Sequence, residues 1–215
     1  MKLAEVIRIM ESFRGREKTM RTLQYAALLI TRVTNESCSD KLKIISSQLG
    51  TGRLITRLFD DLSMAGYSLH YGTGPKQEDL LARILQVFEN GLYMLYFPVE
   101  HIAWARQNEV LPGSEMPFWG VCLLIWGLSL GVSITKSLRQ IYVLETKTKG
   151  SSHEEHNKKW MSHVLNIVMQ SADLLNCLNW LGKSPFGIQM KPWHTGLLGL
   201  ISSLIGFQKI LTMNK

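Results

Sequence analysis

The chain has 215 residues, a formal net charge of +7, and apolar and charged fractions ordinary for a globular protein. Its three cysteines, Cys38, Cys122 and Cys177, are too few and too scattered for a disulfide framework, no Cys/His spacing matches a zinc site, and the usage fits a reducing compartment. Residues 1–115 carry 14 Lys/Arg against 13 Asp/Glu, whereas residues 116–215 carry 10 against 4, so the positive charge accompanies the more apolar half and favours an anionic membrane over nucleic acid as its counterpart.

In chain order, Leu3, Val6, Ile7, Met10 and Phe13 form one helical stripe and Met20, Leu23, Ala27 and Ile30 another, with Gly15 between them. No cationic segment with an apolar core and cleavage site opens the chain, so secretory targeting is not expected and the acceptor pattern at Asn35 is expected to be silent. The polar stretch TNESCSD precedes a further helix, for which Ser39 or Asp40 is the expected N-cap. In that helix Ile45, Leu49, Ile55, Phe59 and Leu62 project to one face, and Lys43, Ser46, Arg53, Arg57 and Asp61 to the other. Gly50 and Gly52 fail the test for a phosphate-binding turn, because no third glycine, P-loop pattern or preceding strand accompanies them. Two readings remain open: a membrane-surface helix, or a core helix with a solvated polar face.

After a loop at Tyr71–Pro75, Leu80, Ile84, Val87, Phe88 and Gly91 resume the helical period until Pro98, where an interruption is expected. Met116–Thr135 is free of charge for 20 residues, roughly 30 Å of helix and the thickness of a bilayer core. Trp119 near its start and Lys136 and Arg139 just past its end suit the two interfaces. Residues 136–191 follow as a basic loop, polar at about 145–159, and an amphipathic helix with Ser162, Asn166, Gln170, Asp173 and Asn176 on one side. That helix is expected to pack on the spans with its polar stripe outward, or to lie in the interface. A second uncharged run, residues 192–208, reads as a short second span, with a buried or interfacial helix as the competing reading, and residues 209–215 form a tail. No strand or internal repeat is evident.

Three motifs invite chemistry. Gly127-Leu-Ser129-Leu-Gly131 matches a nucleophile-elbow pattern, yet Ser129 sits mid-helix without the strand and turn such a serine needs. The same Gly127 and Gly131, with Gly199, Ser203 and Gly206 later, give the small-residue spacing that lets membrane helices approach closely. His153 and His156 lie in a polar segment without a third neutral ligand, so no metal is expected.

Taken together, SFRGREKTMRTLQY (12–25), TGRLITRLFDDLSM (51–64), YFPVEHIAW (96–104) and PWHTGLLGLISSLIGF (192–207), in this order around the two runs, resemble the gamma-type branch of the peroxisomal biogenesis factor 11 family. The resemblance implies a multi-pass protein of the peroxisomal membrane, without enzymatic activity or cofactor, that promotes membrane elongation and division. It also implies self-association, pairing with other family members, and work with a tail-anchored fission adaptor and a dynamin-like GTPase. On this reading Lys43, Arg53 and Arg57 meet lipid headgroups while Ile45, Leu49, Ile55 and Phe59 wedge between acyl chains. Both termini would be cytosolic, although the eight Lys/Arg against four acids in residues 136–191 oppose this under the positive-inside rule. The expected fold is all-α: an N-terminal amphipathic bundle plus two transmembrane helices. The competing functions are a channel or solute carrier, for which the polar stripe through Asn166, Gln170 and Asp173 would serve, and a membrane serine hydrolase through Ser129.

Overall fold

The structure is a computed structural model that describes residues 3–75, 77–147, 153–182 and 187–213. Its regular secondary structure over those residues is all helix, with no strand: α1 (Leu3–Glu11), α2 (Phe13–Ile30), α3 (Glu36–Arg57), α4 (Asp60–Tyr71), α5 (Leu80–Gln107), α6 (Met116–Lys147), α7 (His153–Trp180) and α8 (Pro192–Met213).

Side-chain caps fix several starts. Ser12 accepts from the Gly15 amide at 3.0 Å, and Asp79 accepts from Ala82 at 2.9 Å. Asn35 accepts from Cys38 at 2.9 Å and starts α3, so the expected cap at Ser39 or Asp40 is corrected: TNESCSD already contains the first helical turn. Gly15 lies inside α2 rather than between helices, and a Cβ there would stand 1.9 Å from the Ile9 carbonyl oxygen, so only glycine fits the tight α1–α2 corner. Pro98 does not end α5, which continues to Gln107. The ring removes only the hydrogen bond that the Met94 carbonyl would accept, and the packing of a long helix outweighs that loss.

The helices pack as a chain of neighbours, α3 on α2, α2 on α8, α8 on α7, α7 on α6, α6 on α5 and α5 on α4, while α1 covers α2. Within this set α2 and α3 do not pack against α5 or α6, and the interior between those two layers is crossed by side chains alone. The fold is therefore a wrapped array of helices around an unfilled centre.

The apolar stripes of the sequence point outward. Leu80, Ile84, Val87 and Phe88 of α5, Leu23 and Ile30 of α2, and Val168 and Leu175 of α7 are all exposed. Inside, buried polar and charged side chains are about as numerous as apolar ones, among them Glu89, Asn90, Glu100, Asp173 and Asn176. A water-soluble bundle does the opposite, whereas lipid removes the drive to hide apolar faces and leaves small residues and polar pairs to hold helices together. The polar stripe of α7 accordingly turns inward: Asn166 donates to Ser137 at 2.9 Å, Gln170 donates to Ser133 at 3.2 Å, and Asn176 donates to the Thr195 carbonyl at 3.3 Å.

Among the described residues α6 is the one helix long and apolar enough to cross a membrane, over Met116–Thr146, longer than the 20 residues its uncharged core suggests. The second expected span lies in α8, whose 22 residues have the length, yet it does not meet the same standard. The loop expected at about 145–159 shrinks: residues 145–147 extend α6 and residues 153–159 begin α7, while residues 148–152 lie outside the described set.

Candidate functional site

The space between the α2–α3 layer and the α5–α6 layer is a cavity of about 910 Å³, which seven helices line. From α2 come Arg14, Glu17, Lys18, Arg21 and Gln24, spaced three and four apart so that one helical face presents them all. From α3 come Gly50, Arg53 and Arg57 on the same spacing. The far wall is aromatic, with Tyr93, Tyr96 and Phe97 of α5 and Trp119 and Trp126 of α6.

Ion pairs hold the walls apart and together. Arg21 donates to both oxygens of Asp173 at 2.5 and 2.7 Å and to the Ser202 hydroxyl at 2.7 Å, which ties α2 to α7 and α8. Arg53 donates to Glu17 at 2.9 Å and to Gln24 at 2.7 Å. Arg57 reaches across to Glu100, a fully buried carboxylate on α5, at 2.5 Å, and Tyr96 donates to the same oxygen at 2.7 Å. Burial alone would raise the Glu17 carboxyl, but Lys18 and Arg53 overcome it and hold it down at about 2. Burial lowers Arg53 from its ordinary value, and the neighbouring Arg21 adds to that.

The structure divides the residues expected to meet lipid. Arg53 is 7 % exposed, and Arg57 is engaged with Glu100, so both arginines face the interior. Ile45, Ile55 and Phe59 face outward, Phe59 at 76 % exposure, and Lys43 is outward too, paired with Asp40 at 2.9 Å. Leu49 is half-buried. Arg53 and Arg57 turn inward because Glu17, Gln24 and Glu100 wait there for the guanidinium groups, whereas Lys43, projected onto the same polar face, lies outside with Ile45 and Ile55.

The small residues divide as well. A Cβ on Gly127 would lie 3.2 Å from Cys177 Sγ, and one on Gly199 would lie 2.3 Å from the Tyr25 ring, so both permit close approach. Gly131 has nothing within 4 Å, and Gly206 has only ordinary contacts with Lys18 and Met169. Ser203 is buried and shares a 2.7 Å hydrogen bond with Thr22. Gly196, absent from the small-residue spacing, approaches backbone rather than a ring: a Cβ there would stand 2.4 Å from the Leu29 nitrogen. All these contacts join helices of one chain. Ser129 donates to the Trp126 carbonyl at 2.8 Å within α6, with none of the strand and turn geometry of a nucleophile. His153 bonds Asn157 and His156 faces Glu145, and no group of metal-ligating side chains occurs among the described residues.

Arg14, Glu17, Lys18, Arg21, Gln24, Tyr96 and Glu100 escaped the sequence reading as site residues. The signal was present in α2, where charged residues recur on helical spacing beside the apolar stripe; the sequence reading followed the apolar residues alone.

Fold and cavity together define an all-α protein with one helix long and apolar enough to cross a membrane and a polar, cation-rich interior. The chain belongs to the peroxisomal biogenesis factor 11 family, whose model matches residues 3–211. It is 32% identical to peroxisomal membrane protein 11C of Homo sapiens over 217 residues, 91% of this chain and 89% of the relative, and 36% identical to the Mus musculus protein of the same name over the same shares. It is 23% identical to peroxisomal membrane protein PMP27 of Saccharomyces cerevisiae over 222 residues, 94% of this chain and 91% of that relative. No solved structure matches. The protein is thus a peroxisomal membrane protein of a family known for peroxisome biogenesis and proliferation.

Proposed function

We propose that this protein promotes elongation and division of the peroxisomal membrane by setting amphipathic helices into one leaflet while α6 anchors it and α8 makes a second crossing. The observation that carries this reading is the outer surface of α3 and α4. Ile44, Ile45, Ile55, Phe59, Leu62 and Leu69 are all exposed there, Leu62 at 85 %, and Lys41 and Lys43 lie exposed on the same α3. Apolar side chains beside lysines match a helix lying at the boundary of headgroups and acyl chains, and a wedge in one leaflet favours curvature. Self-association, pairing with other family members, and recruitment of a tail-anchored adaptor and a dynamin-like GTPase complete the proposal, on the strength of family membership.

Loss of the gene should leave fewer, enlarged peroxisomes, and overexpression should produce elongated ones. The triple variant Ile45→Ser, Ile55→Ser, Phe59→Ser should still reach peroxisomes through α6 but lose elongation; elongation equal to the unaltered protein would overturn the leaflet-insertion reading. A solute-conducting role is the second reading, supported by the polar interior, and conductance in planar bilayers tests it. The relatives are named as membrane proteins, not enzymes, which supports a non-catalytic role.

A further inference from the structure

Helix bundles ordinarily close their interiors to near-crystalline density. Here the two helix layers stand apart, and the cavity between them, at about 910 Å³, matches sites that hold a small ligand, about 300–1,000 Å³. Its walls carry two chemistries. The α2–α3 wall presents Arg14, Lys18, Arg21, Arg53 and Arg57, and the opposite wall presents Tyr93, Phe97, Trp119 and Trp126, with Trp180 of α7 beside them.

The five cations of this wall outnumber the carboxylates that meet them, Glu17, Asp60, Asp173 and Glu100, by one. Glu17 serves two cations at once, Lys18 at 3.1 Å and Arg53 at 2.8 Å, while Asp173 and Glu100 are each taken by one arginine. The Nε of Arg21 is buried and has no hydrogen-bond partner, although a buried donor left unmet is costly. Burial depresses the Lys18 ammonium, and Arg21 and Arg53 add to that against the pull of Glu17. One more anion in this space would relieve each of these. A bare inorganic anion would leave the aromatic wall uncovered, and an uncharged chain would leave the Arg21 Nε unmet and the surplus positive charge unbalanced.

We infer that the cavity binds one amphiphile with an anionic head, its carboxylate or phosphate on the arginine cluster and its apolar chain along the aromatic wall. The site is a half-open cleft between the helix layers, distinct from the outer face of α3 and α4, so it stands or falls independently of leaflet insertion.

Trp119, Trp126 and Trp180 report directly on it. The full chain, purified in a neutral detergent, is titrated with three bromine-labelled probes of equal chain length: a fatty carboxylate, a lysophosphatidic acid and a fatty alcohol. Saturable one-to-one quenching of tryptophan emission is expected from the two anionic probes and not from the alcohol; the tighter of the two tells a free carboxylate from a membrane phospholipid as the source. Arg14→Gln, at the exposed edge, should weaken the anionic probe by about tenfold, the loss of one charge-assisted contact. The pair Arg21→Gln with Asp173→Asn, which removes a cation without stranding its partner, should weaken it at least as much. Both variants are checked for unaltered helicity and melting. Equal quenching by the alcohol, or unaltered affinity in a folded variant of either kind, would overturn the inference.

Discussion

His101 shows how a single side chain can join elements and carry a pH dependence. Its Nδ1 lies 2.7 Å from the Phe97 carbonyl and its Nε2 lies 3.0 Å from the Leu58 carbonyl, so both nitrogens meet acceptors and only the doubly protonated ring donates to both. Burial would lower its pKa, but the two carbonyls and the nearby Asp61 raise it above the ordinary 6.5. A raised folded-state value means that the ring's contribution is complete below pH 6.5 and is lost as the pH rises through the folded-state value. The protein in detergent should therefore melt at lower temperature at pH 8.5 than at pH 6, and His101→Gln should flatten that slope. An unaltered slope in the variant would assign the pH dependence elsewhere. At Arg53 and Arg57 the lesson is one of context. Reversing either to Glu would place acid against Glu17 or Glu100, so outward Ile45, Ile55 and Phe59 are the side chains that test lipid contact without disturbing the interior.

At the scale of elements, α2 and α8 are joined by backbone proximity that a methyl group would end. A Cβ at Gly196 would meet the Leu29 nitrogen at 2.4 Å and the Leu28 carbonyl carbon at 2.8 Å, and neither backbone atom can swing aside. Gly196→Ala should lower the melting temperature markedly, a cost of roughly 1–3 kcal/mol for forcing extra volume into a packed contact. Gly131→Ala should be neutral or slightly stabilising, since space is open there and alanine favours helix over glycine by about 1 kcal/mol. Equal melting of the two variants would mean that α2 and α8 do not pack as described. Much of this element layer was legible from spacing. The helical periods of α2, α3, α5 and α7 are real, and the uncharged run at Met116 does lie in the helix long and apolar enough to cross a membrane. What spacing cannot supply is the partner. Gly196 fell outside the small-residue pattern because its neighbour is the backbone of α2, far away in the chain.

For the whole molecule, the number of crossings sets the orientation. One span or two decides whether the termini share a side. With α8 as the second crossing both ends share a side, which we propose is the cytosol, so tags at either end should be digested by protease added to intact peroxisomes. Survival of one tag would leave α6 as the lone crossing, and survival of both would place the ends in the lumen, as the basic residues 136–191 favour under the positive-inside rule. The inverted polarity of the bundle bears on both outcomes. Polar pairs such as Arg21–Asp173 and Arg57–Glu100 hold the interior, and aliphatic side chains form much of the exterior, an arrangement that requires lipid or detergent around it.

The sequence by itself determined the helical class, the amphipathic periods, the place of the helix long and apolar enough to cross a membrane and, through ordered motifs, the family. These rest on periodicity and uninterrupted apolar length, which are properties of neighbouring residues. Only the tertiary structure decided which face looks inward. The reason is physical: a polar stripe can meet water, headgroups or a buried partner, and only the arrival of Asp173, Glu100 and Glu17 beside Arg21, Arg57 and Arg53, from distant parts of the chain, selects the last and opens the cavity between the helix layers.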